Sequence, residues 1–571
     1  LTTLPVRVKT RARELHKSAV GGATTRWQES WLYTDGLGRE ILTKVQAEPG
    51  DAFAHDATGA LLRKSDGTPL IQKATNRWVG TGRKVYDNKG NVVKRYEPYF
   101  TDTSGFDSES ELVETGVSAI LRYDPVNRPI RTDLPDGTFT KVELTPWTQS
   151  TWDANDTVLG SDWYKARQNS TDPAQKRAAQ LAAAHANTPT LAHLDTLGRT
   201  VVVVTQSDAT TFQTSRNVLD LEGNLLRQEV SRDASNTLTV LTQTFDILGR
   251  VCMARNPDSG AKLIWRDVAS ATLRSWDQPN TTDDRSQTFT YDVLRRPLTR
   301  SVTANGSTYV AEMTTYGESL VDAKARNARG QAYSHKDGAG IATDEQRDFH
   351  GKVTKSVRQL TTDAKTIPDW SLAVAVDETF TTTTAYDALG RVIQIDTPHN
   401  TSVPASQVYP VYNEANLLDK VQLKLRGAAT ATDIVTNTDY DAKGQRQRIA
   451  YGNGSTTRYD HDPLTYRLTR LLTTRSSGTE TLQELSYTYD PSGNVVQITD
   501  DALQTTYFNN QVVRPDAFYE YDALYRLIKA SGREHINNGA ATEPEAEGFN
   551  AAQPLKDDGA ALRNYTRAWI Y

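Results

Sequence analysis

The 571-residue chain holds one cysteine, Cys252, so no intramolecular disulfide can brace it. The fold must stand on hydrogen bonds and packing, as in a protein matured in a reducing cytosol, and the lone thiol reads as free and buried. Long apolar runs are also missing. The longest are pieces such as Val201-Val202-Val203-Val204, far short of the roughly 18 residues of a membrane helix, so no membrane span is expected. Charge of one sign is absent: 65 Lys and Arg stand against 70 Asp and Glu, for a net charge of -5. That balance provides no field to hold nucleic acid or an anionic surface.

Signatures of chemistry are scarce as well. Nine histidines, among them His16, His185, His193 and His461, show no HExxH or paired spacing that would assemble a zinc site. Asp153-Ala154-Asn155-Asp156 with Asp162 has the carboxylate density of a calcium loop, but the glycine at position six and the closing Glu are missing, so it reads as a solvated loop. Gly80-Thr81-Gly82 lacks the third glycine and following helix of a dinucleotide site, and no GxSxG elbow or Walker loop occurs. The sequence therefore assigns no catalytic, cofactor-binding or metal residues, expects no cofactor, and reads as non-enzymatic.

What the chain does hold is a repeat. Tyr-Asp-x-x-Gly begins at Tyr86, Tyr386, Tyr440 and Tyr489, where chance placement predicts about 0.1 matches. Looser copies lie at Asp35, Asp124, Asp195, Asp220 and Asp246, most followed by Arg, Asn or Gln after the glycine position. The physical reading is a hairpin: Asp accepts from amides two or three residues on, the middle pair forms a type I turn, and Gly enters the left-handed region. Asp490-Pro491-Ser492-Gly493 puts proline where that turn wants a preset φ, and Asp124-Pro125-Val126-Asn127 replaces glycine with the next residue best able to enter that region. Asp292-Val293-Leu294-Arg295 and Asp522-Ala523-Leu524-Tyr525 place bulk at the glycine position, so either the turn persists at a cost of about 1 kcal/mol or another turn forms.

The flanks read as strands, among them Val392-Ile393-Gln394-Ile395 and Val495-Val496-Gln497-Ile498. The expectation is an all-β fold, a spiral of antiparallel hairpins with few short helices. A mean hydropathy of -0.59 with 25 Tyr and 10 Trp suits a thin wall better than a thick core. Residues 173–185 combine a first-turn proline with strong helix formers, and Asp172 or Thr171 can cap them, so a surface insertion near 172–187 is expected. Residues 534–560 read as a flexible excursion before a strand over 564–571. Arg7, Lys9, Arg11 and Arg13 alternate along one strand face, a solvated row or a contact surface.

Asn76-Arg77-Trp78-Val79-Gly80-Thr81-Gly82-Arg83, with Tyr96-Glu97-Pro98-Tyr99-Phe100, closely resembles the middle region of the Tc toxin B component. Tyr519-Glu520-Tyr521-Asp522-Ala523-Leu524-Tyr525-Arg526-Leu527 and Asn564-Tyr565-Thr566-Arg567 resemble the N-terminal half of the C component. Residues 1–150 are set against B and 431–571 against C, with 151–430 carrying generic YD (RHS) repeats. The resemblance implies a hollow β-shell, or cocoon, that encloses a hypervariable cytotoxic domain and hands it to the A component of a secreted toxin complex assembled in the bacterial cytoplasm. The contact with A would run through a propeller that these residues do not include. Both ends read as cuts in a longer protein, and the region of terminal aspartyl self-cleavage is not seen. Arg122-Tyr123-Asp124-Pro125 resembles that region in miniature but reads as a repeat turn. A second reading, a cell-surface adhesion or carbohydrate-binding RHS protein, would stack sugars on exposed Trp163, Tyr164 and Trp276.

Overall fold

The structure, a computed structural model, describes residues 5–17, 25–108, 116–208, 210–233, 236–279, 284–475, 478–536 and 561–571. Its building unit is the aspartate turn. At Asp387 the carboxylate Oδ1 accepts from the amides of Leu389 and Arg391, both at 2.9 Å, while Oδ2 accepts from Arg391 Nε at 2.6 Å. The Gly390 amide then donates to the Asp387 carbonyl at 3.0 Å. That closure drives the fourth residue left-handed, where a Cβ is penalised. Gly90, Gly390, Gly444 and Gly493 have φ of 87°, 75°, 78° and 101°, and Asn127 has 67°. The two bulky departures keep the same turn: Arg295 and Tyr525 sit at 65° and 61°, each donating its amide to the aspartate carbonyl at 2.9 Å. Further copies start at Asp267, Asp348 and Asn413, where no aromatic-Asp-x-x-Gly string flags them.

Where a tyrosine precedes the turn, it locks that turn to its neighbour. Its hydroxyl donates to the carbonyl that opens the strand leaving the previous turn: Tyr123 to Val92 at 2.8 Å, Tyr291 to Thr272 at 2.7 Å, Tyr440 to Leu418 at 2.6 Å, Tyr489 to Leu468 at 2.8 Å. The cation after the glycine position lies over the next tyrosine ring, as Arg39 does over Tyr86 at 3.9 Å and Arg391 over Tyr412 at 4.7 Å, worth about 0.5–1 kcal/mol each at exposed sites.

These hairpins join into one sheet of 33 strands, from Lys84–Tyr86 and Val92–Tyr96 through Ser118–Tyr123 to Leu562–Ala568, rolled into a barrel-shaped wall. Its registers are antiparallel. The 33 described strands are an odd number, which cannot be antiparallel all the way round a ring, so the two end strands, Lys84–Tyr86 and Leu562–Ala568, do not close the wall as one more antiparallel pair. Because the sheet is a meander, the aspartate turns share one rim, and plain turns such as 134–137, 304–307 and 452–455 share the other.

The wall is wet on both faces. The chain exposes 33640 Å², where a compact monomer of 63.3 kDa would expose about 20,000 Å². Thr200–Gln206 and Val353–Thr361 are half-buried at every position, whereas a sheet with one face on a core alternates. A solid sandwich is excluded. Cys252 accordingly is only half-buried, contrary to the sequence expectation, because its strand Val251–Asn256 has no dry side; its Sγ donates to the Thr244 carbonyl at 3.3 Å.

Besides the two-stranded hairpin of Thr506–Phe508 and Gln511–Val513, two larger elements depart from the wall. Val6–Arg13, Trp27–Thr34, Glu40–Ala47, Arg77–Thr81, Tyr99–Thr101, Gly50–Phe53 and Ile71–Ala74 form a separate seven-stranded sheet over buried Tyr33, Ile41 and Leu42. Two helices, α1 (Asp162–Arg167) and α2 (Pro173–Ala184), make up the insertion. Asp172 caps α2 by accepting from the Ala174 amide at 2.9 Å. The expected surface insertion is instead a packed one: Ala178, Ala179 and Ala182 are buried with Trp163, Val158 and Val496, since small side chains let the helix approach the wall closely. Residues 537–560 of the expected excursion lie outside the described residues; Leu562–Ala568 pairs with Leu527–His535.

If the turn conformation governs stability, Gly444→Ala should cost about 1 kcal/mol. A Cβ there meets only Leu417 at 3.8 Å, so backbone strain alone is measured. Gly36→Ala, with φ outside the left-handed region and open space around it, should leave the urea midpoint unchanged; equal shifts in both variants would contradict the turn account.

Candidate functional site

The chemistry of this chain concentrates at a seam where the plain rim of the wall meets the aspartate rim. Residues 153–189 leave the plain rim between Thr148–Trp152 and Thr190–Leu194 and meet the aspartate rim of a later tier of the same wall. Asn155 Nδ2 donates to Asp490 Oδ2 at 2.9 Å. Tyr525 Oη donates to Asp153 Oδ2 and pairs with Ser492 Oγ at 2.9 Å. Arg177 donates to the Val496 carbonyl at 3.1 Å and to Glu520 at 3.3 Å. Further along, the Ala523 amide donates to the Ser207 carbonyl at 3.1 Å, again plain rim against aspartate rim. The bulky residue at the glycine position of this turn is thus a tether: Tyr525 accepts a left-handed backbone so that its phenol can cross the seam.

This clamp is dry. Asn155, Asp156 and Asp490 are buried, and Thr188 Oγ1 donates to Asp156 Oδ1 at 2.8 Å. Burial pushes the Asp156 carboxyl above the usual carboxylate range and His185 below the usual imidazole range, favouring their neutral forms. Burial, and then the hydrogen bond to Asp153, raise the Tyr525 phenol. The solvated loop read from the sequence at 153–156 is therefore corrected. The carboxylates there face a protein partner, and Asp162 stands apart on α1, exposed and paired with Lys165 at 2.8 Å.

The seven-stranded sheet covers the next stretch of the same rim. The Ala388 amide donates to the Glu14 carbonyl at 2.9 Å, Asn413 Nδ2 to Glu48 at 3.1 Å, and Arg26 to the Tyr412 carbonyl at 2.6 Å and Glu414 at 3.1 Å. Inside that sheet, fully buried Lys44 pairs with Asp107 at 2.7 Å, and His55 with Asp102 at 2.7 Å. Removing one partner of such a pair costs about 3–5 kcal/mol.

The remaining residues singled out in the sequence scatter. Lys9 and Arg11 pair with Glu29 at 2.9 and 2.8 Å, and Arg7 and Lys9 lie over Trp31, so the basic row is held by its own sheet. His16 stacks edge-on against Phe349. His193 sits in Thr190–Leu194, and His461 lines a cavity of about 550 Å³ with Asp439, Arg448, Arg458 and Asp460. Asp124 is a repeat turn, its Oδ2 accepting from Arg128 at 2.6 Å. Trp163 is buried, and Tyr164 and Trp276 are only partly exposed, so no sugar-stacking platform forms from them. Sequence reasoning missed the pairing of 153–156 with 490–525; the one available signal was Tyr525 at a glycine position.

Comparison with known proteins adds the following. No family model matches the sequence. Toxin subunit YenC2 of Yersinia entomophaga is 30% identical over 379 residues, covering 62% of this chain and 38% of YenC2; toxin subunit YenC1 of the same organism is 30% identical over 340 residues, 57% of this chain and 33% of YenC1. Among solved structures, TcdB2-TccC3 matches over 100% of this chain and 26% of its own length, with 25% identity and a TM-score of 0.83. TcdB2-TccC3 lacking its hypervariable C-terminal region matches equally well, at 26% identity and TM-score 0.83, and the Photorhabdus luminescens Tc holotoxin pore matches over 93% of this chain and 24% of its own, at 26% and 0.80. The chain thus spans under two fifths of these curated relatives and about a quarter of these structures.

Two outcomes test the seam and the turns. Tyr525→Phe should cost about 1–3 kcal/mol by stranding Asp153, whereas the exposed Tyr507 should tolerate Phe freely; equal denaturation midpoints for both would remove the clamp. The turn aspartates Asp87, Asp195 and Asp246 lie below the usual carboxylate range, held by the Asn91 side chain, the Arg199 amide and the Arg250 guanidinium respectively, and the Thr210 amide helps bring Asp208 to about 2. Folded values below the ordinary 3.8 mean the unfolded chain binds protons first, so their stabilisation is complete above about pH 4 and drains as pH falls toward about 2. A circular-dichroism titration should show unfolding sensitivity rising in that window, and a flat response from pH 5 to 2 would contradict it.

Proposed function

Since the chain belongs to the RHS/YD-repeat family of Tc toxin B and C components, we propose that it is a structural stretch of a BC shell, enclosing a C-terminal cytotoxic domain and helping to deliver it. The observation that carries this reading is the thin wall: 33 strands rolled round with both faces wet and a surface well above that of a compact monomer. A sheet so built forgoes a core of its own, which makes sense for a container. The match to TcdB2-TccC3 without its hypervariable C-terminal region fits, since the wall's fold then does not depend on what it encloses.

In this proposal residues 1–150 form the B-like part, 151–430 the repeat wall with its helical clamp, and 431–571 the C-like part. In this reading the segment is not an enzyme and its role is mechanical; among the described residues no cluster of three metal-ligating side chains occurs. Its partners are the enclosed domain and, through a propeller outside these residues, the A component. The complex is secreted after assembly in the bacterial cytoplasm.

Limited proteolysis of the full-length polypeptide tests this. The C-terminal domain should be cut at least tenfold more slowly within the intact protein than after release by denaturant and dilution, on the order of the protection that sequestration gives. Equal cutting rates in the two forms would defeat the container reading.

A further inference from the structure

Beside the dry clamp the same seam encloses a hollow. A cavity of about 220 Å³ lies between α1, α2, the plain turn 134–137 and the turns that begin at Asp462 and Asp490; Asp136, Trp163, Arg167, Gln175, Asp462 and Tyr487 are among its lining residues. Its walls are fixed. The Asp162 amide at the start of α1 donates to the Gly137 carbonyl at 3.1 Å, and on the far side Arg467 donates to the Asp490 and Pro491 carbonyls at 2.9 and 2.8 Å. Buried Trp163 gives the space one apolar side. The volume equals that of about seven waters, below what a drug-sized molecule needs.

Arg167 is held in this hollow with part of its guanidinium unused. Its Nε donates to Gln175 Oε1 at 2.9 Å, its Nη1 donates to the Trp163 carbonyl at 3.3 Å, and the group lies over the Trp163 ring at 4.6 Å. Arg167 makes no ion pair among the described residues. Asp136 and Asp462 face it across the cavity without reaching it, and burial holds the guanidinium below its ordinary value against the pull of both. Each of these carboxylates is half used. Asp136 Oδ1 accepts from the Thr138 amide at 3.0 Å and hydroxyl at 2.6 Å, and Asp462 Oδ1 from the Leu464 and Thr465 amides at 2.9 and 2.7 Å. Oδ2 of both takes no donor among the described residues. Asp490 also borders the cavity, but its oxygens are taken up by the Gly493 and Asn494 amides and by the Asn155 and Asn494 side chains. A guanidinium and two carboxylate oxygens thus stand in a part-buried space too wide for them to pair, where polar groups without partners are costly.

We infer that this cavity binds a small zwitterion of the α-amino acid class, with its carboxylate on Arg167, its ammonium between Asp136 and Asp462, and a short side chain toward Trp163. A lone anion would face two carboxylates, and a lone cation would face the guanidinium; a ligand that carries both signs a few bonds apart satisfies all three groups. Seated there, it touches the plain turn 134–137, α1 and the turn at Asp462 at once, so it braces the seam that encloses it. The inference goes beyond the container reading and does not rest on it.

Hydrogen exchange read by mass spectrometry on the full-length polypeptide, with L-alanine as the probe, tests it. L-alanine should slow exchange in 162–184 saturably and on the order of tenfold, the factor that a ligand at about ten times its Kd exerts on an opening equilibrium, while strand Thr200–Gln206 keeps its rate. Acetate and methylammonium, separately or together, should not reproduce the effect. The variants R167M and D136N/D462N should each abolish it; asparagine keeps the Oδ1 acceptor of both turns and removes the charge. Where a variant loosens the insertion by itself, saturation-transfer NMR of the L-alanine methyl on the unaltered protein decides, with glycine expected to displace it. The inference is overturned by no slowing and no transfer, which leaves water as the occupant, or by slowing that either variant retains. Equal slowing by acetate or methylammonium alone overturns it too, as does equal slowing of Thr200–Gln206, which marks a general solute effect. Protection of the C-terminal domain from proteolysis is read separately, so the container reading and this one can fail independently.

Discussion

The whole molecule depends on one carboxylate geometry. An aspartate at a strand end accepts two backbone amides through Oδ1 and the side chain four residues on through Oδ2, as Asp387 does with Leu389 and Arg391. That fork satisfies amides that the reversal of the chain would otherwise leave open. It also orients the fourth-residue cation onto the next tyrosine, whose hydroxyl returns to the strand behind. At the tyrosine-bearing turns, turn, cation and tyrosine thus link one hairpin to its neighbour, a source of order that a wall with two wet faces cannot draw from a hydrophobic core.

A wall stabilised this way has a particular weakness at its ends and a particular sensitivity to acid. Its registers pair each strand between the two end strands on both sides, so what remains to be closed are chiefly the rims. The structure closes part of one rim with residues 153–189 and part with the seven-stranded sheet, using polar pairs that tolerate no half measures: Asn155 with Asp490, Tyr525 with Asp153, and Asn413 with Glu48. Unlike the repeated turns, each of these contacts occurs once, and each specifies which turn meets which.

Departures from the repeat mark where tertiary demands override local preference. Arg295 and Tyr525 hold left-handed backbone that glycine would adopt more cheaply, and both spend their side chains on another turn, Arg295 on Asp267 and Tyr525 on Asp153 and Ser492. The helix α2 departs in the same sense. Its alanines look like generic helix formers, but their use is to bring a helix within reach of Val496.

The turn, the strands beside it and the antiparallel meander were legible from residue order alone, because each is closed by partners within a few positions: Asp87 with Asn91, Asp124 with Arg128, Asp490 with Asn494. The resemblance to Tc toxin B and C components was legible for the same local reason. What the sequence could not carry was which turn meets which across the seam and the burial of 153–156. Those depend on how far the sheet has rolled when it meets itself, a sum of small twists over 33 strands that no single stretch of sequence encodes.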